Sequence, residues 1–372
     1  MDYLTKNAEA ALDKSNNAVV VEECIMQKGK PATAGSKILE GFTAPFDATV
    51  VEKLKNASIT ITGRTSMTEF GTDRLTSDKP ETANGAVQSI STGSAAYALC
   101  NDVFGLIRRQ APGKRLTYIH PTYGTVSRYG LIPAVTSMDQ IGVLCADLAK
   151  GFELLSIIAG NDKRDGAMFP EPAYSYAPYK GKIRLAIPDN AWSACEYAEE
   201  AISLLEHRFE TIRFELTYFE QLKQVMYILS SAELCNNTNR YDGVKYGYRA
   251  RDYTSVDDLY IKTRSEGFGR ETKLAAIVSA MVLSREYYEP YYEKAMKIRR
   301  LIINAADFAD YDIIALPSQR RGTPYEQSAL YALAVLAGFP SISMQIGNHG
   351  IQLIAAAKHE NVLFGAWEAL KY

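Results

Sequence analysis

The stretch Lys28-Gly29-Lys30-Pro31-Ala32-Thr33-Ala34-Gly35-Ser36-Lys37-Ile38-Leu39 and a second, Pro121-Thr122-Tyr123-Gly124-Thr125-Val126-Ser127-Arg128-Tyr129-Gly130-Leu131-Ile132, decide the fold of this chain. Strand-like runs lie on either side of the first: Val19-Val20-Val21 before it, and Ser58-Ile59-Thr60-Ile61-Thr62, ending at Gly63, after it. Further on, Ile183 to Ile187 and Ile313 to Leu316 are β-rich runs, each stopped by a proline, and Ser341–Met344 and Ile351–Ile354 are two more. Leu4, Ala8, Ala11 and Leu12 predict a helix over 2–14, and Ala198, Ala201, Ile202, Leu205 and Phe209 give 195–208 one apolar helical face. This alternation predicts an α/β fold with a mixed or mostly parallel sheet covered on both faces. The Pro- and Tyr-rich run from Phe169 to Tyr179 breaks the pattern, and residues near 166–180 are expected to cross the surface.

The 372 residues can bury a large core, and 47% hydrophobic against 23% charged residues is the composition of an ordinary globular protein. A net charge of -2 gives no drive toward DNA or an anionic membrane. Arg108-Arg109 and Lys114-Arg115 read as a solvated loop. The tyrosines between Tyr287 and Tyr292 read as core packing beside a solvated basic helix face, in preference to a nucleic-acid contact. Cys24, Cys100, Cys145, Cys195 and Cys235 are odd in number and form no C-x-x-C pair, which suggests reduced thiols and no zinc site. No apolar leader and no membrane-length apolar run occurs, so a cytoplasmic location is expected. No P-loop or G-x-G-x-x-G pattern is present, and no cofactor or metal is expected.

The two opening stretches resemble the T-T-A-G-S-K-I-L and K-P-T-Y-G-x-V-S-R-Y-G-L-I signatures of the amidase signature family. Gly63-Arg64-Thr65-Ser66-Met67-Thr68-Glu69-Phe70, Ser137-Met138-Asp139-Gln140-Ile141-Gly142 and Ala159-Gly160-Asn161-Asp162 follow in the family's order. The runs Asn239–Gly247, Thr263–Gly269 and Leu336–Pro340 look like one branch, the A subunits of glutamyl-tRNA(Gln)/aspartyl-tRNA(Asn) amidotransferases. The resemblance implies a single α/β domain over 1–372, with a large mixed β-sheet flanked by helices, shortened at the N-terminus and in the active-site loops. It also implies an activity in which a serine nucleophile, a bridging serine and a lysine release ammonia from glutamine.

Carried over by position, the resemblance puts Glu22 where the family has its lysine, Ile90 at the bridging serine and Leu106 at the nucleophile. Phe104 replaces a glycine of the oxyanion turn, Leu274-Ala275 stand in the run that carries the glutamine-binding arginine, and Ser328 stands at an acidic position. The expectation is therefore a catalytically degenerate relative, a pseudoenzyme acting as a binding, scaffold or regulatory protein. Tyr241, Asp242 and Arg264 would then be retained cleft or docking residues. The alternative is an amide or acyl hydrolase, or an amidotransferase, with a rebuilt site using Cys100, with His120 nearby, or Ser91. Expected partners are other amidotransferase subunits, tRNA or a second copy, with no membrane and no DNA.

Overall fold

The computed structural model describes residues 18–72 and 83–371. The helix expected over 2–14 lies outside them. Ten strands form one mixed sheet: β1 (Val19–Glu22), β2 (Ile61–Thr65), β3 (Tyr97–Asn101), β4 (Thr117–His120), β5 (Ile141–Cys145), β6 (Arg184–Pro188), β7 (Glu210–Phe214), β8 (Ile313–Pro317), β9 (Ser341–Ile346) and β10 (His349–Ala355). Their order is β2-β1-β3-β5-β4-β9-β10-β8-β6-β7. Both flanks are parallel, β2-β1-β3 and β8-β6-β7, and the centre from β3 to β8 is antiparallel. This is the α/β fold with a mixed sheet expected from the alternation of runs, in the single domain that the resemblance implies.

Strict alternation of side chains feeds two cores. Val19, Val21, Leu99, Ile119 and Val143 point into the larger one. Val20, Ala98, Cys100, Tyr118 and Leu144 point to the opposite face. On that face lie α2 (Gly85–Ser91) and α3 (Leu106–Gln110), preceded in the chain by α1 (Thr49–Asn56). The remaining helices are α4 (Leu148–Ile158), α5 (Asp189–Trp192), α6 (Ala198–Glu206), α7 (Leu222–Thr238), α8 (Val256–Gly267), α9 (Arg270–Val282), α10 (Lys294–Ala305), α11 (Pro324–Gln327), α12 (Ala329–Ala337) and α13 (Glu360–Leu370). Helix α12 is apolar on every side, and all but its last residue are buried, as expected of a helix enclosed by its neighbours. Gly338, at φ 70°, closes it in the left-handed conformation.

Local chemistry sets the other boundaries. Asn84 caps α2, Asp147 caps α4, Ser255 caps α8, and Thr323 with Glu326 forms a capping box on α11. The strand expected over 58–62 starts later, at Ile61, because Ser58 sits in a turn at φ 58°. The helix expected over 195–208 is trimmed to α6 by the turn around Cys195. Residues 166–180 contain no helix or strand and are mostly exposed or half-buried. Tyr179 ties their end to α13 through its N–H to Asn361 O at 2.9 Å.

Two sequence expectations are corrected here. Arg108 and Arg109 are buried, not solvated. Tyr287, Tyr288 and Tyr291 are exposed, on a π-helical turn (Tyr288–Glu293) that leads into α10, and are not core residues. Among the described residues no helix is long and apolar enough to cross a membrane.

Candidate functional site

The parallel strands β1 and β3 end side by side, and the first buried polar cluster forms at their C-terminal ends. Glu22, the last residue of β1, is wholly buried. Its Oε2 accepts the Asn101 N–H at 2.9 Å and faces the Cys24 thiol at 3.8 Å. Its Oε1 accepts from Asn84 Nδ2 at 3.3 Å. The same Asn84 accepts the Ala86 and Val87 N–H groups through Oδ1, so one side chain both starts α2 and holds Glu22. Asn101 in turn donates to Asp139 Oδ1 at 2.9 Å and accepts the Gln140 N–H at 3.0 Å.

Burial dominates the electrostatics, pushing the Glu22 carboxyl up to about 8 against the pull of its hydrogen-bond donors. At neutral pH the group is mostly protonated. It can therefore donate as well as accept a hydrogen bond, and can exchange a proton near neutrality.

The second part is the turn from β3 into α3. Asp102 accepts the N–H groups of Ile107 and Arg108 at 3.1 and 3.0 Å, and pairs with Arg108 Nε at 3.1 Å. The Arg108 guanidinium continues to Tyr331 O, Gln352 Oε1, Asp102 O and Val103 O, so this buried ion pair is richly hydrogen-bonded. Gly105, at φ 83°, makes the bend. A Cβ there would lie 2.7 Å from Tyr331 Cβ and overlap its ring. Leu106, the first residue of α3, is buried and carries no nucleophilic group. A cavity of about 10 Å³ adjoins Phe104, lined also by Thr72, Tyr227, Ser230, Ser231, Leu234, Glu271 and Ala275. That is space for roughly one water molecule.

A third knot ties the signature stretches together. Glu69 accepts from Ser36 Oγ (2.6 Å), Gly269 N (2.9 Å) and Thr272 Oγ1 (2.5 Å). Tyr241 stacks on Phe70 with centroids 5.9 Å apart, and Arg264 Nη1 donates to Thr238 O and, at 3.4 Å, to Tyr241 O. Asp242 Oδ1 accepts the Val244 N–H within its own turn. The structure thus brings Tyr241 and Arg264 together, while Asp242 serves its local bend.

The remaining candidates separate. Ile90 lies in the last turn of α2, inside the second core. The residue of that helix that reaches Glu22 is Asn84, at the opposite end. Gly93, at φ 72°, follows the end of α2. Cys100 is buried, and burial with the nearby Glu22 raises its thiol well above the ordinary value. His120 is buried too, and burial with the Arg108 charge pulls its ring well down. Ser91 is exposed and donates to Gln88 O at 3.0 Å in its own helix. Ser328 is buried and donates to Tyr325 O. Sequence reasoning missed Asn84, Asn101 and the Asp102–Arg108 pair. The signal available was Asn84 standing immediately before Gly85 and a helical run. Among the described residues no group of three or more His, Cys, Asp or Glu side chains is placed to hold a metal ion.

The Amidase family profile matches residues 18–84 and 82–363. The A subunit of glutamyl-tRNA(Gln) amidotransferase from Lachnoclostridium phytofermentans is 34% identical over 93% of this chain and 82% of its own length. The protein of the same name from a Nitratiruptor species is 35% identical over 96% of this chain and 90% of its own length. The crystal structure of the Thermotoga maritima protein of that name superposes with a TM-score of 0.74 at 26% identity, covering 94% of this chain and 81% of that one. These relatives overturn the expectation of a catalytically degenerate scaffold. The chain matches proteins named as amidotransferase subunits over nearly its whole length, and nothing in them or in the fold marks a non-catalytic role. Of the rebuilt-site candidates, Ser91 is exposed and bonded within its own helix, and Cys100 is buried near Glu22 with its thiol pushed well away from the reactive thiolate.

Proposed function

The chain belongs to the amidase family, and from that premise we propose that it works as an A-type subunit of a tRNA-dependent amidotransferase, handling an amide nitrogen in company with partner subunits. One observation carries this reading: the match to a protein named as the A subunit of glutamyl-tRNA(Gln) amidotransferase runs over 93% of this chain and 82% of the relative. The Glu69 knot supports it, since it fastens the family-like stretches around Ser36 and Glu69 to the run ending at Gly269 that resembles that branch.

In this reading Glu22 and Leu106 occupy the positions where the family carries its lysine and its nucleophilic serine. Glu22 then acts as a buried, largely neutral carboxyl that holds Asn84 and Asn101 at the C-terminal ends of β1 and β3. Tyr241, Asp242 and Arg264 shape the docking surface. Their bend presents the exposed Val244 and Tyr246, and the Tyr246 ring leans on Phe42 at 5.2 Å. The partners in this reading are the other amidotransferase subunits.

The test is co-expression with the other amidotransferase subunits of the same organism, followed by size-exclusion chromatography. Coelution of this chain in one stable assembly is the expected result. A complete assembly that forms without it, leaving this chain to elute alone, would contradict the proposal.

A further inference from the structure

At the end of α12 remote from the Gly105 turn lies a cavity of about 460 Å³, within the size range of small-molecule sites. Its apolar lining is Met296 and Ile303 from α10, Leu336 and Ala337 from α12, and Phe169 from the surface excursion, beside the polar Thr122, Tyr123 and Ser137. Its charged lining residues are Arg299 and Arg300, and no acidic side chain lines it.

Arg299 is held in place rather than neutralised. Its Nε donates to Leu336 O at 2.7 Å, Nη1 to Ser137 Oγ at 3.0 Å, and Nη2 to Ser137 O at 3.2 Å. That uses three of the five guanidinium N–H groups, all on uncharged oxygens. Glu233 attracts it but spends its carboxylate on the Ser137 N–H and hydroxyl, at 2.8 and 2.5 Å. Burial accordingly pulls the Arg299 guanidinium down. Arg300 is exposed and forms no ion pair or hydrogen bond with the described residues.

We propose that this cavity binds a small organic anion, a carboxylate or phosphate monoester carried on a flat apolar body. The anion lies against Arg299 and Arg300, whose planar forks suit both groups. The flat body lies among Phe169, Met296 and Leu336, where aromatic and aliphatic walls favour a ring. Two guanidiniums with no lining carboxylate give the cavity a positive field, which selects anions over neutral compounds of the same shape. The inference does not depend on the amidotransferase reading.

The test is a fluorine NMR titration of the intact protein with fluorobenzoate, fluorophenyl phosphate and, as the neutral probe, fluorobenzyl alcohol. Saturable line broadening is expected from at least one anion and none from the alcohol. The tighter of the two anions identifies the headgroup. Arg300→Gln should weaken that binding by about fivefold, the effect of roughly one partly exposed charge contact. Ala337→Trp, which fills the cavity, should abolish it. Arg300 is exposed, so its substitution leaves the fold intact and remains informative if Ala337→Trp does not fold. Absence of saturable binding by either anion, equal binding of the alcohol, or anion binding unchanged in Arg300→Gln would overturn the proposal.

Discussion

Glu22→Gln tests the buried carboxyl through the pH dependence of stability. In the folded chain burial pushes Glu22 from the ordinary 4.5 up to about 8. Between those values the folded state binds a proton that the unfolded state has released, so stability must fall as pH rises through this window. The gap is about 3.5 pH units, and at about 1.4 kcal/mol per unit the carboxyl costs up to about 5 kcal/mol by pH 8. Glutamine cannot ionise, so the variant loses this slope. Asp139, also raised by burial, gives both proteins a residual slope of the same sign. Urea unfolding from pH 5 to pH 9, followed by circular dichroism and by Trp192 and Trp367 fluorescence, reads the difference. The variant should gain on the parent by several kcal/mol as pH rises, whatever its offset at pH 5. Parallel curves, separated by a constant to within about 0.5 kcal/mol, would refute the assignment of Glu22 as a largely neutral acid.

Three further outcomes follow from the same geometry. Gly105→Ala places a side chain at φ 83° against the Tyr331 ring and should cost about 2–5 kcal/mol in urea unfolding; a loss under about 0.5 kcal/mol would mean that the bend tolerates a Cβ. Arg108→Met leaves Asp102 buried without its cation and should cost about 3–5 kcal/mol, with Arg108→Lys recovering little because it cannot span the four acceptors beyond Asp102 Oδ2. Of five thiols, Cys235 alone is not buried, so one equivalent should react rapidly with a disulfide reagent in the native protein and five in urea.

The strands were legible in the sequence because both faces of the sheet are covered. Val19-Val20-Val21 and Ile313-Ile314-Ala315-Leu316 are continuous, buried apolar runs, the first feeding both cores in alternation. The signature stretches were legible as motifs, but not the reason they hang together, since Ser36, Glu69 and Gly269 meet across up to 200 residues of chain. Arg108 was misread for the same reason. Its burial depends on Asp102, six residues back, and on Gln352, 244 residues away. The tyrosines from 287 to 292 were assigned to a core on composition alone, and composition does not tell which side of a helix meets the protein. That Ile90 lies in the last turn of a helix ended by the left-handed Gly93 was not legible from the motif alone. The degenerate-scaffold expectation was argued from three aligned positions, while the relatives match nearly the whole chain.

The central claim is tested most directly by glutamine-dependent amidation of glutamyl-tRNA(Gln), measured by mass spectrometry of the released amino acid, with the partner subunits assembled with and without this chain. The account predicts amidation that requires this chain. Amidation that proceeds equally well without the chain, or a complete assembly that never amidates the tRNA-bound glutamate from glutamine, would contradict it.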